Sequence, residues 1–397
     1  MKSFATTLHC WTCGADHVAE RSRLLCDCGM PLEQMYDIDA LIGHAAGSFP
    51  EPLTTYPNIW RFHALLPVQN PANIVTLGEG CTPLVPLERF GAAHDIRIVV
   101  KDEGRNPTGT FKARGASVGV SRLRELGWTA LAMPTVGSGG SAWSAYGARA
   151  GLEMRVALPR MEDIPRIGLI EPQRYGAHLS QFDGPTEKAF SAFRQALPSR
   201  FAYVGGLQEP YRLEGEKTVL FELVDQFAGR VPEYVVWPTG GAVGLIGLAK
   251  AYEELMRAKV IQPDDQMTVI SAQHEKSAPI AAALRDGLEG PVVGSPGGIA
   301  PGVWVGDPFA GRYVIDRMRR TVRADGGMAG DDQIRRIMFE VARTDGLLLS
   351  PEGALAVCVA LNARADGRVR KGATVVCVNT ATSLRYPHLL EAAEGAW

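Results

Sequence analysis

The sequence predicts an α/β fold of mostly parallel sheet, arranged as two α/β domains behind a small cysteine-rich module. Three observations carry that reading. Short apolar, strand-like runs alternate with helical patterns through most of the 397 residues, which is how repeated βα units place helices on both faces of a sheet. The 44 glycines gather in short loops that follow the apolar runs. Four of the seven cysteines stand together near the start, apart from the alternating pattern.

Taken along the chain, NPTGTFKARG (Asn106–Gly115) leads into an amphipathic helix. Its apolar positions Ala116, Val120, Leu123 and Leu126 run at close to a helical period before Gly127. TALAM (Thr129–Met133) reads as a strand, followed by a glycine-rich loop and the helix SAWSAYGARA. EMRVAL is a strand ended by Pro159; a helical segment to Gly176, the strand AHLSQF and the helix TEKAFSAFRQAL follow. FAYVG (Phe201–Gly205) and EYVVW (Glu233–Trp237) are further strands, the second opening through TGGAVG into a long helix to about Arg257. MTVISAQ, the helices SAPIAAALRDG, DDQIRRIMFEVARTDG and GALAVCVALNARADG, and the strand ATVVCV complete the pattern. The proline-rich stretch Pro50–Pro71 reads as a surface connection, and Gly287–Pro308 as a long loop of the kind that serves as a lid. There is no internal repeat.

Composition narrows the function classes. A net charge of -2 with 21% charged residues lacks the clustered surplus of Lys and Arg of a nucleic-acid footprint. No apolar run reaches the roughly 18 residues of a membrane span, and MKSFATTLHC has no apolar signal core. A cytoplasmic enzyme without a disulfide framework is the expectation.

Lys112 is the most informative single residue. It follows a Pro/Gly turn and starts a helix, so the tight turn and the positive helix end both favour a neutral amine. Such an amine forms a Schiff base with an aldehyde, the obvious one being pyridoxal phosphate; the other reading is a solvated lysine in a first turn. Three strand-end loops are candidates to complete a site. In PTVGSGGSA (Pro134–Ala142), N–H groups of Gly137, Gly139 and Gly140 with the hydroxyls of Ser138 and Ser141 suit a carboxylate. In PTGGAVG, the amides of Gly240, Gly241, Ala242, Val243 and Gly244 beside Thr239 form a nest suited to phosphate. It lacks the lysine of a P-loop and the spacing of a dinucleotide fingerprint. In VNTATS, Thr380 offers a hydroxyl to a ring nitrogen, though Ser and Thr are common after strands.

At the start, Cys10, Cys13, Cys26 and Cys28 form C-x2-C-x12-C-x-C. Paired thiolates on tight turns suit a closed, structural zinc site; the alternative is a set of reduced thiols, with His9 or His17 able to replace one of them. Cys358 and Cys377 read as core, and Cys81 as a weak candidate for a reactive thiol.

NPTGTFKARG, PTVGSGGSA, YRLEGEKT (Tyr211–Thr218), PTGGAVG and VNTATS occur in the order found in threonine synthases. The chain resembles that family of fold type II, tryptophan-synthase-β-like pyridoxal phosphate enzymes over nearly its whole length. LGEGCTPL (Leu77–Leu84) is similar to the segment preceding the family's lysine, and the cysteine pairs to the zinc-ribbon-like extension of some members. The resemblance implies a zinc-ribbon-like module over 1–40, a large cofactor-binding domain from 41–112 and 212–397, and a smaller domain over 113–211. It implies Lys112 as Schiff-base lysine and acid/base, residues 239–244 as phosphate nest, Thr380 at the pyridine nitrogen, and Gly137–Ser141 at the substrate carboxylate. Arg105, Arg114 and Arg212 are candidate hands for an anionic group on a small, phosphorylated amino-acid substrate. A homodimer is the family habit. Two positions depart from the pattern: Ala113 stands where the family's FKDRG has aspartate, and Ser138 where it has the asparagine set against the cofactor's 3-hydroxyl. Both bear on the substrate more than on the cofactor. Beside threonine synthesis from O-phospho-L-homoserine, the readings are a β-replacement or β-elimination enzyme (cysteate-synthase-like or serine/threonine-dehydratase-like) and a metabolite-binding paralogue without catalysis.

Overall fold

The computed structural model describes residues 2–44, 56–160, 164–183 and 186–391. Its strands are β1 (Ala5–His9), β2 (Asp16–His17), β3 (Glu33–Tyr36), β4 (Leu84–Pro86), β5 (Arg97–Asp102), β6 (Ala130–Pro134), β7 (Glu153–Pro159), β8 (His178–Phe182), β9 (Ala202–Tyr203), β10 (Tyr234–Pro238), β11 (Thr268–His274), β12 (Arg323–Ala329) and β13 (Thr374–Asn379). They form three sheets: an antiparallel β2-β1-β3, a six-stranded β12-β11-β10-β13-β5-β4, and a four-stranded β8-β7-β6-β9. The four-stranded sheet is wholly parallel. The six-stranded sheet is parallel except for the edge strand β4.

β10 shows why these strands are continuous apolar runs. All five of its residues are buried. Val235 and Trp237 face one core and Tyr234 and Val236 another, because side chains alternate across a strand and helices cover both faces. The helices used below are α1 (Lys112–Glu125), α2 (Ser138–Ala150), α3 (Arg212–Glu216), α4 (Thr218–Gln226), α5 (Val243–Arg257) and α6 (Pro351–Ala365). None of the described helices is long and apolar enough to cross a membrane.

Two expectations are corrected. The part of Pro50–Pro71 within the described residues is not a surface connection. Ile59–Leu65 is a 3-10 segment, and Ile59, Trp60, Leu66 and Val68 form a cluster with Val118 of α1. The Trp60 indole donates to Ser117 Oγ at 3.1 Å and to Glu79 Oε1 at 3.2 Å, so the prolines bracket a core element. The strand β12 falls outside the predicted pattern. Its sequence RADGGMA looks like a turn, but Gly326 is there because a Cβ would overlap the Ala281 carbonyl.

His63 lies in the same buried segment, 1% exposed. Neither ring nitrogen has a hydrogen-bond partner among the described residues, and burial lowers its pKa to about 4 from 6.5. Between those values the unfolded chain binds a proton that the folded chain refuses. Stability therefore falls as pH drops through that window, by about 3 kcal/mol in all, and the loss is complete below it. Urea unfolding of wild type and His63→Phe from pH 7 to 4 checks this: the variant should lack that part of the slope, and parallel curves would refute it.

Candidate active site

A cavity of about 460 Å³ opens between the carboxyl ends of β6, β10 and β13. Its wall brings together Lys112, Gly137, Ser138, Gly139, Thr239, Gly240, Gly241, Ala242, Val243, Gly244 and Thr380, which are far apart in sequence. Each arrives on a strand-end turn or a helix start, where backbone N–H groups have no partner within the helix.

Lys112 is the first residue of α1. The turn before it is tied to the last loop: Phe111 N–H donates to Thr380 O at 3.0 Å, and Thr110 pairs with Ala381 in an isolated bridge. Lys112 and Thr380 are thereby held against one another. The lysine's Nζ sits 4.0 Å from the Phe111 ring centroid, and that ring packs edge-on against Trp237. Nζ lies 3.4 Å from Glu216 Oε1. Burial pulls the amine below the ordinary lysine range, and the Glu216 carboxylate opposes that.

The nest follows β10. Ala242 adopts a left-handed conformation at φ 62° and turns the chain into the 15-residue α5, whose N-terminus points to the cavity. Gly240 is required here, since a Cβ would lie 2.7 Å from Gly302 O. The Thr239 hydroxyl donates to Trp237 O at 3.0 Å and accepts from Ser271 Oγ at 2.9 Å. The loop after β6 starts α2 directly at Ser138. Gly140 and Ser141 lie behind the wall, but the buried Ser141 hydroxyl accepts from Arg385 at 3.0 Å.

None of the three arginines proposed for an anionic group lines the cavity. Arg114 is fully buried between Glu103 and Glu222, at 2.7 Å from each. Arg212 is held by Glu209 at 2.8 Å and by Val204 O. Arg105 is exposed and pairs with Asp102 at 3.0 Å. In each case a nearby carboxylate claims the guanidinium. The cations on the wall besides Lys112, among the described residues, are Arg385 and Arg194. Arg385 is 5% exposed and donates to Glu171 Oε2 at 2.7 Å and to Thr108 O at 2.9 Å. Arg194 is exposed and donates to Gln208 at 2.7 Å. Arg385 stands two residues beyond VNTATS, a signal that was available. Arg194 lies in an ordinary amphipathic helix and carried none.

Two carboxyls were also missed. Glu216 lies inside YRLEGEKT, a motif to which no role was given. Glu352, on α6, is 2% exposed and faces the cavity. Its Oε1 accepts from Gly302 N at 2.8 Å and from Tyr386 Oη at 2.9 Å, while Oε2 has no partner among the described residues. Burial raises its pKa.

The four cysteine sulfurs of the N-terminal module lie within 4.8 Å of one another. Cys10 and Cys28 are 3.6 Å apart, and Cys13 and Cys26 3.5 Å. Tetrahedral zinc with bonds of about 2.3 Å separates its sulfurs by about 3.8 Å, so the set fits a closed zinc site. His17 Nε2 approaches Cys26 Sγ at 3.3 Å, whereas His9 bonds to Asp16. Cys358 and Cys377 are core. Burial and Glu222 push the Cys81 thiol up, against an activated thiolate.

The family model described as "Pyridoxal-phosphate dependent enzyme" matches residues 75–381. A threonine synthase of Methanocaldococcus jannaschii is 30% identical over 385 residues, 95% of this chain and 92% of its own. One from Halalkalibacterium halodurans is 30% identical over 83% of this chain and 91% of its own. Among solved structures, an L-serine ammonia-lyase from Rhizomucor miehei superposes with a TM-score of 0.64 at 18% identity, covering 79% of this chain and 97% of that one. Threonine deaminase isoform 2 of Solanum lycopersicum also gives 0.64 at 18%, over 78% and 81%. These share the fold type II architecture. With a family match over most of its length and full-length relatives at this identity, the chain belongs to the pyridoxal-phosphate-dependent enzymes, as a lyase of the threonine synthase family.

Proposed function

We propose that this lyase converts O-phospho-L-homoserine and water to L-threonine and phosphate, with Lys112 as the cofactor lysine. The observation that carries the reading is one cavity in which a half-buried amine, a glycine-lined turn into a helix, the Thr380 residue and a second helix N-terminus meet. Relatives named threonine synthase that align end to end support the substrate.

The residues fit pyridoxal phosphate. The glycine-lined nest at the start of α5 offers consecutive N–H groups and a helix N-terminus to the phosphate, with Thr239 beside it. Thr380 would face the pyridine nitrogen as a neutral partner. When bound, the cofactor supplies an electron sink for charge developing at the substrate Cα. The Lys112 amine, whose proton affinity burial lowers, takes the Cα proton at Nζ and returns it later in the cycle. The N-terminus of α2, with Gly137 and Ser138, orients the substrate carboxylate. Arg385 and Arg194 replace the three arginines read from the sequence as partners for the distal anion. The serine at position 138 in place of asparagine, together with Ala113, favours a second reading as a β-eliminating or β-replacing enzyme.

A substrate comparison tests this. Reconstituted protein given O-phospho-L-homoserine should release phosphate and threonine in equal amounts, with Arg385→Ala raising KM. Pyruvate from serine or 2-oxobutyrate from threonine, without phosphate release, would establish the second reading instead.

A further inference from the structure

Glu216 is a buried carboxyl in direct contact with the reactive amine. It is 1% exposed, and its Oε1 stands 3.4 Å from Lys112 Nζ. Its Oε2 has no hydrogen-bond partner among the described residues. A full negative charge in that position is costly unless a cation or a proton accompanies it. The carboxyl cannot drift away, because α3 is packed backbone to backbone on α1: a Cβ on Gly215 would overlap the Arg114 carbonyl. The other charged groups facing the pair are Arg212, on the same helix, and Glu209. Those two bond to each other at 2.8 Å, which leaves Lys112 as the cation closest to Glu216.

We propose that Glu216 is the proton partner of Lys112, taking one proton from Nζ when the amine becomes a nucleophile toward the cofactor and returning it when the amine is set free. The proton passes from Nζ to Oε1, and the pair changes from ammonium and carboxylate to amine and carboxylic acid. No net charge is created in the buried site, and no external base is required. Burial moves the two groups' proton affinities toward each other, lowering that of Lys112 and raising that of Glu216, so the transfer costs less here than between the same groups in water. The inference rests on Lys112 as cofactor lysine and is independent of the substrate.

The test uses cofactor-free full-length protein. Competitive acetylation of amines across a pH range, read peptide by peptide in a mass spectrometer, gives the titration midpoint of Lys112. In Glu216→Gln the midpoint should fall by about one to three pH units, the range for losing an adjacent opposite charge, with other lysines unmoved. Glu216→Asp should fall in the same direction by less. An unchanged midpoint in Glu216→Gln overturns the proposal; should that variant fail to fold, an unchanged midpoint in Glu216→Asp does so. Borohydride reduction of reconstituted wild type, followed by peptide mapping, is a separate arm. Cofactor fixed on a lysine other than Lys112 would overturn the Lys112 reading by itself, whatever the midpoints show.

Discussion

Replacing Lys112 with alanine is expected to abolish turnover while leaving the fold intact. Loss of the acid/base alone costs about 10²- to 10⁴-fold in rate, and loss of the covalent anchor adds to it. The visible absorbance of reconstituted protein should vanish, and added cofactor should leave on dialysis, held only by the nest at 239–244. The fold should survive because Lys112 opens to the cavity, makes one ion pair, at 3.4 Å, and gives way to the best helix former. Glu216, left without its cation, is relieved of a buried charge by taking up a proton, the direction in which burial already pushes it. Circular dichroism, the visible spectrum and phosphate release together check this. A Lys112→Ala protein that keeps both the absorbance and the activity would move the chemistry to another residue.

What could be read from the sequence divides along a physical line. β10 is legible because a strand buried on both faces must be apolar throughout, and EYVVW is. Lys112 and the nest are legible because each needs a local backbone shape, a turn into a helix, that glycine and proline mark. β12 is not, because Gly326 answers to the Ala281 carbonyl and Gly327 to the Val359 side chain, neighbours distant in sequence that no local pattern reports. Trp60 is hidden for a similar reason: the prolines around it advertise a surface, and only its contacts with Ser117 and Val118 make it core. Arginines are the hardest case. A guanidinium serves a substrate or a buried carboxylate equally well, and the choice depends on whether the fold seals it among carboxylates or leaves it at a cavity wall. Arg114 and Arg212 meet Glu103, Glu222 and Glu209, while Arg385, beyond the last motif, reaches the cavity wall.

Arg114 accordingly carries the second large effect, on stability and not on substrate affinity. Its guanidinium donates to both oxygens of Glu103, at 2.7 and 2.8 Å, and to both of Glu222, at 2.7 and 2.8 Å. Thr218 and Thr82 accept the remaining contacts at 3.0 and 3.2 Å. With Lys101 2.8 Å from Glu222, this buried network ties β5, α1 and α4 together one turn from Lys112. Arg114→Met keeps the bulk and removes the charge. Glu222 retains Lys101, but Glu103, itself fully buried, is stranded without a cation and keeps the neutral donors Thr82 and Asn106. Breaking one side of a buried pair costs about 3–5 kcal/mol, so the urea midpoint should drop sharply. Replacing Glu103 with Gln as well should recover part of that loss, since the stranded charge is then gone; removing the charge from both partners of a buried pair is far milder than removing one. The same substitutions leave the cavity wall untouched, so KM for substrate should change little in whatever fraction folds. A folded, normally stable Arg114→Met with a strongly raised KM would instead return Arg114 to the substrate, and with it the role proposed for Arg385.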